Sequence, residues 1–109
     1  MKDIVKLKKT SELMLDSNYK ERFIAEYWQT KIRYEKLKAF NTKIEAADLT
    51  KYGLNAVEEP KHDCPYDLLR SQQQAMGEYL HILEVRAVIE NIDLDEDHVF
   101  CTEMESTHE

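Results

Sequence analysis

Residues 58–69 read EEPKHDCPYDLL, and the two prolines in this stretch decide how the chain is divided. Pro60 cannot continue a helix from the residues before it, because it lacks an N–H and its ring clashes with the preceding turn. Pro65 suits the first turn of a new helix, where a backbone N–H has no intrahelical partner. The stretch therefore predicts a helix start at Pro65, with Asp63 or Cys64 at the cap and Asp67 against the positive end of the helix dipole. Two chemical alternatives attach to the same residues. A cysteine at a helix N-terminus acquires a lowered pKa and can act as a nucleophile, and His62 and Cys64 with a third ligand such as His81 could hold zinc. No base, oxyanion site, paired carboxylates, phosphate loop or triad accompanies Cys64, and no CxxC or HxxxH spacing accompanies His62. The expectation is a chain with no catalytic residues, no metal and no cofactor.

Downstream, a helix over 65–92 is predicted. Leu68, Leu69, Ala75, Met76, Tyr79, Leu80 and Leu83 begin it as a stripe, and Ile82, Val85, Ala87, Val88, Ile89 and Ile92 then spread around the cylinder. Among the polar residues set in it, Arg86 can pair with Glu90 along the helix, and His81 reads as a core or interface histidine. Upstream, Asn18 with Glu21 three residues on has the form of a capping box. A seam of Phe23, Tyr27, Tyr34, Leu37 and Ile44, flanked by Ile24, Trp28 and Ile32, predicts a helix over 18–45. A kink or stop is expected near Asn41 and Thr42, with a further turn through Ala46, Ala47 and Leu49 ending at Gly53 as a left-handed cap.

These elements predict an all-α fold: a long antiparallel helical hairpin joined by a connection over 46–63, preceded by an N-terminal arm over 1–16. Residues 1–94 form one helical domain in this reading, and 95–109 a flexible acidic tail. In the arm, Ile4, Val5 and Leu7 fit a short strand or a short helix that packs on a neighbour. A lone hairpin cannot shield apolar residues placed on all sides of the second helix, so a homo-oligomer is expected.

Composition agrees with a helical chain. Of 109 residues, only two are Gly and two Pro, too few for a turn-rich β fold. The net charge of −7 is unevenly spread. Residues 93–109 carry seven acidic residues and no Lys or Arg, whereas residues 1–51 hold 12 Lys and Arg against 8 Asp and Glu. An anionic ligand should prefer the basic N-terminal half. Extended duplex DNA is excluded as a partner, since it needs a basic stripe across the domain. Two cysteines make no disulfide framework, and no signal peptide or membrane span is evident, which points to a reducing cytoplasm.

The phrases YKERFIAEYWQTKIRYEKLKAF (19–40) and EEPKHDCPYDLLRSQQQAMGEYLHILEVRAVIENIDL (58–94), in this order, resemble a family of short helical phage and prophage proteins known by likeness to an open reading frame of a crAss-like gut phage. The resemblance implies a phage accessory protein made in the cytoplasm of an infected bacterium, and it supplies no catalytic residue. By analogy with other compact oligomeric phage proteins, the expected role is an anti-defence sponge. It would hold a nucleotide immune signal, a cyclic oligonucleotide or an ADP-ribose derivative, in pockets at subunit interfaces.

Such a pocket needs cations for phosphates and rings for bases. Arg33 and Lys36, placed opposite Arg70 and Gln73 by the hairpin, with Tyr34 to stack a base, form the expected ligand site, and Arg22 with Tyr27 a second. The alternative is a helical adaptor or inhibitor of a host or phage protein. It would act through its aromatic face or its acidic tail, with Val99 and Phe100 as the docking insert.

Overall fold

Asn18 caps the longest helix of the chain, but Asp16, not the Glu21 of the expected capping box, takes its N–H. The Asn18 Oδ1 accepts the Lys20 N–H at 2.8 Å, and its own N–H donates to Asp16 Oδ1 at 2.8 Å. The computed structural model describes residues 2–100. Four helices follow one another: α1 (Lys2–Met14), α2 (Tyr19–Thr50), α3 (Tyr66–Glu90) and α4 (Glu96–Phe100). No strand occurs among the described residues, so the fold is all-α as expected. No helix among them is long and apolar enough to cross a membrane.

Several boundaries depart from the sequence reading, each for a local reason. Helix α2 runs through Asn41 and Thr42 without a stop and ends at Thr50, not 45. The Thr42 hydroxyl donates to the Lys38 carbonyl at 2.8 Å one turn back within α2, and the Asn41 amide nitrogen is taken up by α3, so neither side chain ends the helix. The connection therefore spans 51–65. Gly53 closes a turn onto the Thr50 carbonyl at 2.9 Å, and no glycine has a positive φ. The left-handed residue is Asn91, φ 57°, after α3. There the Ile92 N–H reaches the Ala87 carbonyl at 2.8 Å and the Asn91 N–H that of Val88 at 3.4 Å. This is a Schellman ending, in which the buried Ile92 side chain seals the last turn. At the start of α3, Pro65 is the cap by hydrogen bonding, since its carbonyl accepts from Leu68 and Leu69.

The chain clusters into two compact units. The first comprises 1–32 and 79–109, of which 2–32 and 79–100 are described. Its core joins Phe23, Ile24, Tyr27 and Ile32 of α2 to Leu80, Leu83 and Ala87 of α3, with Ile92 and Val99 beyond. Paired residues run in opposite chain order: Tyr19 meets Arg86, and Glu26 meets Tyr79. Residues 4–7 are helical rather than a strand, and α1 is held within its own chain through Lys6, which pairs with Glu96 and stands 5.8 Å from the Trp28 ring and 5.5 Å from that of Phe100.

Residues 95–100 do not behave as a flexible tail. Asp95 Oδ1 caps α4 by accepting the Asp97 N–H at 2.9 Å, Val99 is buried, and Phe100 meets Trp28 edge-on at 5.3 Å. The apolar insert expected to dock on a partner is thus spent on the chain's own core. The rest of the expected tail, 101–109, lies outside the described residues.

The second unit, 33–78, is thinner. Only Asn41, Ile44 and Ala47 are fully buried in it. Tyr34 packs on Gly77: a Cβ at Gly77 would stand 3.3 Å from Tyr34 Cε1. A glycine in a helix interior costs about 1 kcal/mol relative to alanine, and this close approach gives the position its use.

Candidate functional site

The second unit carries a cleft of about 430 Å³. Ile44, Glu45 and Asp48 of α2, Glu59 of the connection, and Tyr66 and Arg70 of α3 line it. The Arg70 guanidinium carbon sits 5.7 Å from the Tyr66 ring centroid. Of the three carboxylates beside Arg70, Asp48 is paired with Lys51 at 3.3 Å and Glu59 with His62 at 2.7 Å, so the cleft of a single copy has no surplus of cations with which to hold an anion.

His62 holds the connection beside this cleft. Its Nε2 lies 2.7 Å from Glu59 Oε2, its Nδ1 lies 2.7 Å from the Cys64 carbonyl oxygen, and its ring meets Phe40 edge-on at 6.0 Å. The Glu59 carboxylate, helped by the Cys64 carbonyl, raises the His62 pKa above its ordinary value. The His62–Asp63–Cys64 run therefore serves to fasten the connection ahead of α3. Cys64 is exposed and free. Among the described residues no group of three His, Cys, Asp or Glu side chains is placed to hold a metal ion. Cys101 lies outside the described residues, and His81 is exposed rather than a core histidine.

The residues expected to bind a ligand separate into distinct places. Arg70 lines the cleft. Gln73 Oε1 accepts from Asn41 Nδ2 at 2.9 Å. Tyr34 is half-buried against Gly77. Arg33 and Lys36 are exposed on α2. Lys36 stands about 200° around the helix from Tyr34 at 100° per residue. The expected register placed Lys36 and Arg33 opposite Arg70 and Gln73, but Gln73 faces Asn41, and Arg70 shares the cleft with Ile44 and Asp48.

In the first unit, Arg22 Nη1 donates to the Asp16 carbonyl at 2.8 Å, and Tyr27 is a core residue whose hydroxyl donates to Glu84 Oε2 at 2.7 Å. Its buried ring offers no face to a base. The Asn41–Gln73 contact was not anticipated. Asn41 was read only as a helix breaker, although its place on the Tyr34–Ile44 seam was the available signal.

A second feature is a surface. Along α3 within the first unit, Ile82, Val85, Val88 and Ile89 are 54%, 45%, 83% and 76% exposed. Their three- and four-residue spacing gathers them on one side of the helix. Large apolar side chains grouped in water in this way mark an interaction surface.

A family model described as Sequestin matches residues 17–89, which takes in all of α2, the connection and nearly all of α3. No curated protein and no solved structure matches the chain.

Proposed function

The chain belongs to the Sequestin family, and on that premise we propose that it acts by holding a ligand rather than by transforming one. The proposed assembly is a homo-oligomer of long antiparallel hairpins, and the cargo an anionic nucleotide bound where copies meet. In a phage-infected bacterium the fitting cargo is a nucleotide signal of antiviral defence, a cyclic oligonucleotide or an ADP-ribose derivative. The family name supports sequestration, and the exposed Ile82, Val85, Val88 and Ile89 surface carries the oligomer. The slender core of the second unit adds to it, since a helix pair with three buried residues gains most from a covering copy.

Within such an assembly, Arg33 and Lys36 are accessible cations for phosphates, and Arg70 with Gln73 and the half-buried Tyr34 ring supply further polar and stacking groups. Because the charges lining the Arg70 cleft already balance, the proposed pocket draws its further cations from a second copy. Sequestration needs no proton transfer and no nucleophile. It needs a dissociation constant below the cargo concentration, which for a nanomolar signal means a binding free energy of about −12 kcal/mol.

Two measurements test the reading. Light scattering should give a mass that is a multiple of the 12.9 kDa chain. Titration calorimetry against a panel of cyclic oligonucleotides and ADP-ribose derivatives should show heat with at least one. A stable monomer would remove the interface pocket, and an oligomer giving no heat with any member of the panel would remove the nucleotide.

A further inference from the structure

His62 is unusual in what its two ring nitrogens face. Nδ1 is 2.7 Å from a backbone carbonyl oxygen and Nε2 is 2.7 Å from a carboxylate oxygen. Both partners are acceptors, and neither can donate: a carbonyl has no proton, and Glu59 is a carboxylate at neutral pH. A neutral imidazole carries one N–H, so it can serve only one of these contacts and must turn a lone pair toward the other oxygen. Only the imidazolium, with both nitrogens donating, satisfies both at once.

We propose that His62 is a proton-operated latch: as the imidazolium it pins Glu59 and the Cys64 carbonyl together, and on losing its proton it must release one of them. The consequence falls on the cleft, because Glu59 is one of its walls. While latched, the Glu59 charge is answered by His62. Once His62 is neutral that carboxylate loses its partner in a cleft that also holds Glu45, Arg70 and an Asp48 already paired with Lys51, and the segment ahead of α3 is held by a single contact. The groups bearing on the latch are Glu59, Asp63 and the Cys64 carbonyl from the connection and the uncharged Phe40 ring from α2. Around Glu59 the cleft adds Glu45 and Asp48 from α2, the latter paired with Lys51 of the connection at 3.3 Å, and Tyr66 and Arg70 from α3. The Glu59 hydrogen bond and then the Cys64 carbonyl favour the charged ring and raise its pKa, against a smaller opposing effect of burial.

The latch is read by proton NMR of the histidine Cε1–H resonances of the full chain from about pH 5 to about pH 9, an interval that brackets the ordinary histidine pKa. His62 should keep its proton to higher pH than an ordinary histidine, whose pKa is about 6.5, and the Cys64 and Glu59 amide resonances should move with the His62 midpoint. In Glu59→Gln, a change at an exposed side chain, the midpoint should fall back toward the ordinary histidine value of about 6.5. A His62 midpoint at or below the ordinary value of about 6.5 would overturn the proposal. So would Cys64 and Glu59 amides that stay still while the ring titrates.

Discussion

The Tyr27 hydroxyl, on α2, donates to Glu84 Oε2, on α3, across 2.7 Å in the first unit, while the ring beneath it is buried. A single side chain therefore joins the two helices by packing and by a hydrogen bond to a charged acceptor. Tyr27→Phe keeps the ring and should cost about 1 kcal/mol, the scale of one hydrogen bond whose acceptor is still reached by water. Tyr27→Ala removes the ring as well and should cost about 3–5 kcal/mol. Urea unfolding of both variants separates the two contributions. Equal losses would mean that the hydroxyl, not the ring, carries the contact.

Gly77 tests the close approach in the second unit. Alanine in a helix interior normally gains about 1 kcal/mol over glycine, but here its Cβ would stand 3.3 Å from Cε1 and 3.4 Å from the hydroxyl oxygen of Tyr34. Both are atoms at the far end of a half-buried side chain, which can yield by a few tenths of an ångström. Gly77→Ala should therefore stabilise by about 0.5 kcal/mol, and by the full helix-propensity gain of about 1 kcal/mol when Tyr34 is also alanine. Denaturant midpoints of the two single variants and the double variant give the coupling.

How much of this was legible in the sequence follows from which signals are local. Asn18 as a cap and the existence of the two long helices depend on neighbouring residues and appear where the capping and periodicity rules place them, whereas Pro60 stops nothing, since α2 has already ended at Thr50. The helix through Asn41 was not legible, because its amide nitrogen donates to the Leu69 carbonyl and to Gln73 Oε1, about thirty positions away. Helix α1 was obscured by Lys6, Lys8 and Lys9, which interrupt its apolar pattern, and Lys6 finds its place only beside Trp28 and Glu96. The candidate site suffered most. Gln73 faces Asn41, and Arg70 shares its cleft with Ile44 and Asp48, which is not the register the sequence suggested for Arg33 and Lys36.

The α3 surface gives a prediction in which stability and assembly part company. Ile89 is 76% exposed in the single chain. Ile89→Lys places a cation near the C-terminal end of α3, which suits the helix dipole, and should change the stability of the isolated chain by no more than about 0.5 kcal/mol. In an oligomer built on this surface the same charge would be buried unpaired, and the assembly should dissociate. Light scattering of the variant beside circular dichroism checks both halves. An oligomer of unchanged mass would place the interface elsewhere.

His62 also predicts a pH dependence of stability with a definite sign. Its pKa is raised in the folded chain by Glu59 and the Cys64 carbonyl, so the folded state holds the proton more tightly than the unfolded state. The resulting stabilisation is fully present below the unfolded value of about 6.5 and is lost as pH rises through the higher folded value. Urea midpoints should fall across that interval, and His62→Gln should flatten the fall. A midpoint that rises with pH there would assign the dependence to another group.

Trp28, the sole tryptophan of the chain, reports on α4. Its Nε1–H donates to the Leu94 carbonyl at 2.9 Å, and its ring lies edge-on to Phe100 at 5.3 Å. Phe100→Ala strips one side of the indole of its cover and removes a half-buried aromatic ring, a loss of about 2 kcal/mol when scaled from full burial. The fluorescence of Trp28 should shift to the red as water reaches it, and the thermal midpoint should fall. Deleting 95–109 removes Val99 and Phe100 together with the Glu96 partner of Lys6, so it should destabilise more than Phe100→Ala alone and give at least the same red shift. A deletion that leaves both the spectrum and the midpoint unchanged would show that α4 contributes nothing to the first unit.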